Sequence, residues 1–228
     1  MIYFTDISRI FIRCGFAACL GLILVVTTDA QEADRNGVYI NKRPLKDWSK
    51  RFTQAVALKE INLDAPFVVS VSGTLDVAKD GKTVILKDVK KSIIEQPIGS
   101  DPRLRDLVEN AVLAASDSGW FGYLSAMGRM KTSKSVKLLI EQDARDFSAS
   151  INVDQQTENE ARTLASALSA VISIGSATAK DDEKLLLRSL SVSTVGNAVN
   201  IISRTTKSQF WEIIQRKLAA EEIRSSNK

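Results

Sequence analysis

The chain has 228 residues and no histidine, and its only two cysteines, Cys14 and Cys19, fall within the first thirty positions. Without histidine the commonest general base is missing. Nucleophile–histidine pairs and the usual zinc ligands go with it. Four prolines and eleven glycines leave no room for a proline-rich spacer or a collagen-like repeat. No Gly-x-x-x-x-Gly-Lys-[Ser/Thr], Gly-x-Gly-x-x-Gly or Gly-x-Ser-x-Gly occurs. Phosphate cradles and a nucleophile elbow therefore have no support. Two tight acidic groups exist, Asp143 with Asp146 and Asp181-Asp182-Glu183. Neither has the alternating ligand spacing and central glycine of a calcium loop. The first reads as a turn and the second as a helix start, where carboxylates favour the dipole. No catalytic residue, metal site or cofactor is expected. The one enzymatic arrangement left open is a hydrolase with two carboxylates distant in sequence.

What is present has globular proportions, 44% hydrophobic and 25% charged, with a formal charge of +4. The basic runs at 46–51, 87–91 and 129–137 are broken by acidic, apolar or hydroxyl residues. Nucleic-acid binding concentrates such residues on one face. These runs read as solvated faces, and no nucleic-acid partner is expected.

Residues 1–30 form a separate object. Arg9 and Arg13 precede an uncharged run, 14–28, and Thr28-Asp29-Ala30 places small residues before a cut. This is the layout of a secretory signal peptide cleaved after Ala30. The run is shorter than the roughly 20 apolar residues that span a bilayer. The alternative is a single uncleaved N-terminal anchor, the only membrane contact expected. Cleavage would leave a mature chain without cysteine in a periplasmic or secreted setting. Such a chain needs a core large enough to stand without disulfides.

Residues 31–43 read as a flexible polar segment. Residues 44–61 read as a helix, with Pro44 in its first turn and Leu45, Trp48, Phe52, Val56 and Lys59 recurring at helical spacing. Phe67, Val69 and Val71 then alternate with smaller residues as a strand. Lys79-Asp80-Gly81-Lys82 makes a hairpin turn, 83–89 is the return strand, and Asp101-Pro102 opens a helix. That order recurs. A hairpin over 136–154 leads to the capping box Thr157/Glu160 and a helix, with a loop at 175–179. A short helix at 181–189 follows. A hairpin around Gly196-Asn197 then leads to Thr206/Gln209 and the last helix. The expected fold is α+β. Three successive strand-strand-helix units, 67–116, 135–175 and 190–223, build one or two antiparallel sheets with helices packed on one face. The first lies in a region 44–128 with the leading helix, and the other two in 129–228.

Gly73, Leu75, Asp80, Gly81, Lys82, Val84, Ser100, Asp101, Pro102 and Leu104 stand in the order strand, Asp-Gly-Lys turn, strand, Ser-Asp-Pro-x-Leu, helix. Over residues 66–124 this resembles the C-terminal domain of TonB-family proteins. The family's proline-rich spacer is absent here. Ser118-Gly119-Trp120-Phe121-Gly122-Tyr123 stands where the family places an aromatic-x-Pro. The resemblance implies an envelope protein that contacts partners through an antiparallel sheet edge.

Trp120, Phe121 and Tyr123 are the candidate partner-binding residues, because aromatic side chains carry much interface energy. The competing expectation is that they close the core. The function expected is a non-enzymatic, partner-binding envelope protein. A periplasmic carrier of a lipid or other apolar ligand is the alternative, motivated by the apolar stripes at 161–172 and 210–218.

Overall fold

The computed structural model describes residues 39–92, 94–122, 124, 134–179 and 181–226. The leader and residues 31–38 lie outside them, as does Tyr123. Helix α1 (Arg43–Ala57) comes first, followed by β1 (Phe67–Val77), β2 (Val84–Lys91) and α2 (Pro102–Asp117). The second unit is β3 (Lys134–Gln142), β4 (Asp146–Asp154) and α3 (Glu158–Thr178). A short helix α4 (Asp181–Arg188) leads into β5 (Leu190–Val195), β6 (Ala198–Thr206) and α5 (Lys207–Ser226). The three strand-strand-helix units are thus present. The strands form one sheet of six, in the order β2-β1-β3-β4-β6-β5, with every neighbouring pair antiparallel.

Alternation puts one apolar set on the helix side of this sheet. The register aligns Val71, Leu138, Ile151, Ile201 and Val192 in a single row across five strands. All but the partly buried Val192 are buried. The opposite face carries the polar row Ser72, Lys137, Asn152, Asn200 and Ser193. One wet face and one packed face is the ordinary economy of an antiparallel sheet.

The turns follow local chemistry. Asp101 accepts from the N–H groups of Arg103 (2.9 Å) and Leu104 (3.4 Å), capping α2 ahead of Pro102. Its other oxygen takes Asn62 N–H at 2.7 Å, tying the helix start to the turn after α1. Thr157 accepts from Glu160 N–H at 3.2 Å, as the capping box requires. Gly73 faces a bulge in β2, where Asp88 sits at φ +51. A Cβ on Gly73 would lie 2.6 Å from Lys87 O and 2.7 Å from Leu86 Cγ, so the close approach excludes any side chain.

Two boundaries differ from expectation. Helix α1 stops at Ala57, short of residue 61, because Lys59 adopts φ +54. Lys59 N–H donates to Val56 O and Glu60 N–H to Ala55 O, a Schellman ending with lysine in the place glycine usually takes. Helix α3 runs through Gly175 to Thr178, so residues 175–178 are helix, not loop.

A chain of aromatic rings joins the layers. Trp48 stacks on Phe52 (5.3 Å), Phe52 on Trp211 (5.6 Å) and Phe147 on Phe210 (3.4 Å), while Phe67 meets Phe147 edge-on. Beside them Gln142, 2% exposed, uses both amide donors and its carbonyl. Nε2 donates to Leu63 O (2.8 Å) and Ala65 O (2.7 Å), and Oε1 accepts from Trp211 Nε1 at 2.7 Å. Gln142→Met keeps the volume but orphans two buried groups and one partly buried one. Each buried group costs about 1–3 kcal/mol. Equilibrium urea unfolding is therefore expected to show a loss of at least about 2 kcal/mol for this variant.

Candidate functional site

The aromatic turn belongs to the core. Helix α2 ends in a second Schellman motif, with Gly119 at φ +83, Gly119 N–H on Ser116 O and Trp120 N–H on Ala115 O. The chain therefore turns back under the helix, leaving Trp120 and Phe121 only 8% and 4% exposed. Neither offers a face to a partner in this conformation, and Tyr123 lies outside the described residues. The segment before α1 closes over the same place. Ile40 is buried, Asn41 N–H donates to Ser118 O at 2.9 Å, and a Cβ on Gly119 would meet Tyr39 O at 2.5 Å.

The apolar stripes at 161–172 and 210–218 are filled as core. Ala161, Leu164 and Leu168 of α3 are buried, as are Phe210, Ile213, Ile214 and Leu218 of α5. An open groove of about 410 Å³ runs between α1 and α2, with Ala55, Ile61 and Leu107 among its lining residues. Its remaining lining is exposed and mixed in sign, including Arg51, Arg103, Glu60 and Asp106.

The displaced carboxylates have local causes. Asp80 is held below the usual carboxylate range, first by the Thr83 hydroxyl and then by the N–H groups of Thr83 and Lys82. Asp143 is lowered by the N–H groups of Asp146 and Arg145, both at 2.7 Å. Asp76 is lowered chiefly by its hydrogen bond from Lys87. Asp117 is raised by burial. Asp80 and Asp143 close turns at opposite ends of the sheet, since β1 and β3 run antiparallel. They do not converge on a common cleft. Asp182 pairs with Arg216 at 3.0 Å. Among the described residues no cluster of three or more metal-ligating side chains occurs, and no helix is long and apolar enough to cross a membrane.

The sheet edges are the places where backbone groups stay available, and the two differ. Strand β2 carries the bulge at Asp88 together with Lys87, Lys90 and Lys91. Bulges and lysines are the devices that block edge pairing. Strand β5 is Leu-Ser-Val-Ser-Thr-Val, with no charge, proline or bulge. Among the described residues nothing pairs with its outer side. The hairpin presenting it is pinned at both ends. Ser189 Oγ donates to Leu186 O (2.6 Å) and lies 2.8 Å from Ser203 Oγ. At the tip, Asn197 Nδ2 donates to Gln155 O (2.7 Å) and Gln155 N–H to Asn197 O (2.8 Å).

Gly196 at φ +58 followed by Asn197 at negative φ makes the two-residue turn type II′. Val195 and Ala198 flank it as a bonded pair, so Ser191, Ser193 and Val195 bond inward to β6. The N–H and C=O groups of Leu190, Val192 and Thr194 therefore point outward. Comparison with family models, curated proteins and solved structures returns no match.

The turn carboxylates set a pH dependence. A carboxyl lowered on folding stabilises the fold above its unfolded pKa, and that contribution is lost as pH falls through the folded value. Asp80 and Asp143 act in this sense, and Asp117 in the opposite one. Asparagine at 80 and 143 keeps an accepting oxygen but cannot titrate. The Asp80→Asn/Asp143→Asn variant should lose stability less steeply than the parent between about pH 4 and pH 2, read from urea midpoints.

Proposed function

We propose that the chain is an exported, non-enzymatic envelope protein that binds a polypeptide partner by strand addition at β5. The observation that carries this is the contrast between the edges. Strand β2 has the bulge and lysines that prevent pairing, while β5 leaves three residues' backbone groups pointing outward without a blocking device. Strand addition draws affinity from main-chain hydrogen bonds and specificity from alternate side chains. An edge already held in place adds little ordering entropy to the cost of binding.

Three further points agree with this function. The leader-like residues 1–30 suit an exported chain. The lack of histidine and of nucleotide or hydrolase motifs suits a binding role. The resemblance of residues 66–124 to the TonB C-terminal domain implies an envelope protein that contacts partners, although the edge within that stretch is β2 and the free edge is β5. The ten residues that carry it include Gly73 at the β2 bulge, Asp80 and Gly81 in the turn, and Asp101 and Pro102 at the α2 cap.

A photo-crosslinking side chain placed at Ser193 in cells should give discrete adducts with another polypeptide chain, whereas the same group at Lys90 on β2 should give none. Equal labelling from both positions, or none from Ser193, would remove the β5 edge from consideration.

A further inference from the structure

Resting on the edge-binding function above, we infer that the polypeptide added at β5 is a second copy of this chain. The two copies join antiparallel about Val192 into one continuous sheet of twelve strands. The pairing follows from which groups point outward. Around a two-fold axis at Val192, Val192 faces Val192 of the second copy, and Leu190 faces Thr194 of the second copy, with the reciprocal pair on the other side. Each is a hydrogen-bonded pair of an antiparallel ladder, so the join adds about six main-chain hydrogen bonds.

The side chains accept the same symmetry. On the helix side, valine meets valine and leucine meets the threonine methyl, contacts that favour cross-strand pairing. On the open side, Ser191 and Ser193 face each other's counterparts. No charge lies anywhere in the strand, so self-pairing brings no repulsion. The same operation on β2 would stack Lys87, Lys90 and Lys91 of two copies and misalign at the bulge. Self-association is thus favoured at one edge and blocked at the other, which closes the assembly at two.

Exposed apolar residues lie at the same end. Among the described residues these are Val195 of β5 (69%), Ile174 of α3 (44%) and Leu185 of α4 (37%). Helices α3 and α4 both pack on β5. A stable interface buries about 1,200–2,000 Å². A strand pair supplies part of that, and α3 and α4 bring the apolar surface to extend it.

The test uses protein purified from cells expressing the full sequence, with mass measured by light scattering across a concentration series. The parent should move from one-chain to two-chain mass. Val192→Pro removes an outward N–H without touching the β5–β6 bonds, and edge strands tolerate proline there. It should weaken dimerisation by about a hundredfold or more with an unchanged far-ultraviolet circular dichroism spectrum. A second pair of variants guards against misfolding. Ser191→Asp/Ser193→Asp and Ser191→Lys/Ser193→Lys should each be monomeric, and an equimolar mixture should restore the two-chain mass.

A parent that stays monomeric throughout overturns the proposal, as does a dimer that survives both Val192→Pro and the like-charge variants. If the monomeric parent still crosslinks from Ser193 to another polypeptide, edge binding stands and only the second-copy assignment falls. If it does not, both fall.

Discussion

The amide of Gln142 is the point at which the three units become one molecule. It sits at the end of β3, in a row with Phe67 of β1 and Phe147 of β4. Both of its donors hold the chain that enters β1, and its carbonyl holds the indole of α5. An amide in an apolar interior is tolerable only when so satisfied. Being satisfied, it fixes distances that an apolar residue would leave loose. The rings of Phe52, Trp211, Phe210 and Phe147 then touch in series from α1 through α5 to the sheet, Trp211 meeting Phe210 edge-on. Lys207 adds an ion pair to Asp64 at 2.9 Å at the same corner. The first helix and the last, far apart in sequence, are fastened to the sheet at one junction.

Helix α5 packs on β4 and β6, and the hairpins of the first and third units occupy the ends of the sheet. The bulge and lysines of β2 belong to the hairpin whose glycine, Gly73, lets the strands approach. The β5–β6 hairpin is held instead by Ser189 and by the reciprocal bonds of Gln155 and Asn197. Its outer side is ordered without being covered by any described residue.

Local chemistry was legible in the sequence. Asp101-Pro102, Thr157 with Glu160 and Gly196-Asn197 act as cap, capping box and turn, because each depends only on near neighbours. Alternation over 67–71 and 147–153 revealed the buried face. Strand order was not legible, because the pairing of β1 with β3 and β4 with β6 is decided by contacts across the whole chain. Edge or centre follows from order, so nothing in Leu-Ser-Val-Ser-Thr-Val marks it as an edge. Gln142 reads only as a polar residue closing a strand, since its partners are 77 and 69 positions away. Trp120 and Phe121 stood out for composition, yet the Schellman ending at Gly119 turns them inward. Lys59 ended α1 where helical periodicity alone would have continued it.

If the Gln142 junction makes one cooperative core of three units, then all three should unfold together. In a Trp120→Phe background Trp48 and Trp211 report on the junction, while the far-ultraviolet signal reports on the sheet and every helix. Equilibrium urea unfolding followed by tryptophan fluorescence and by circular dichroism on one sample decides the matter. Superimposable transitions with a single midpoint are the predicted result. A fluorescence transition that precedes loss of secondary structure would mean that the junction opens while the sheet persists, and would contradict the account.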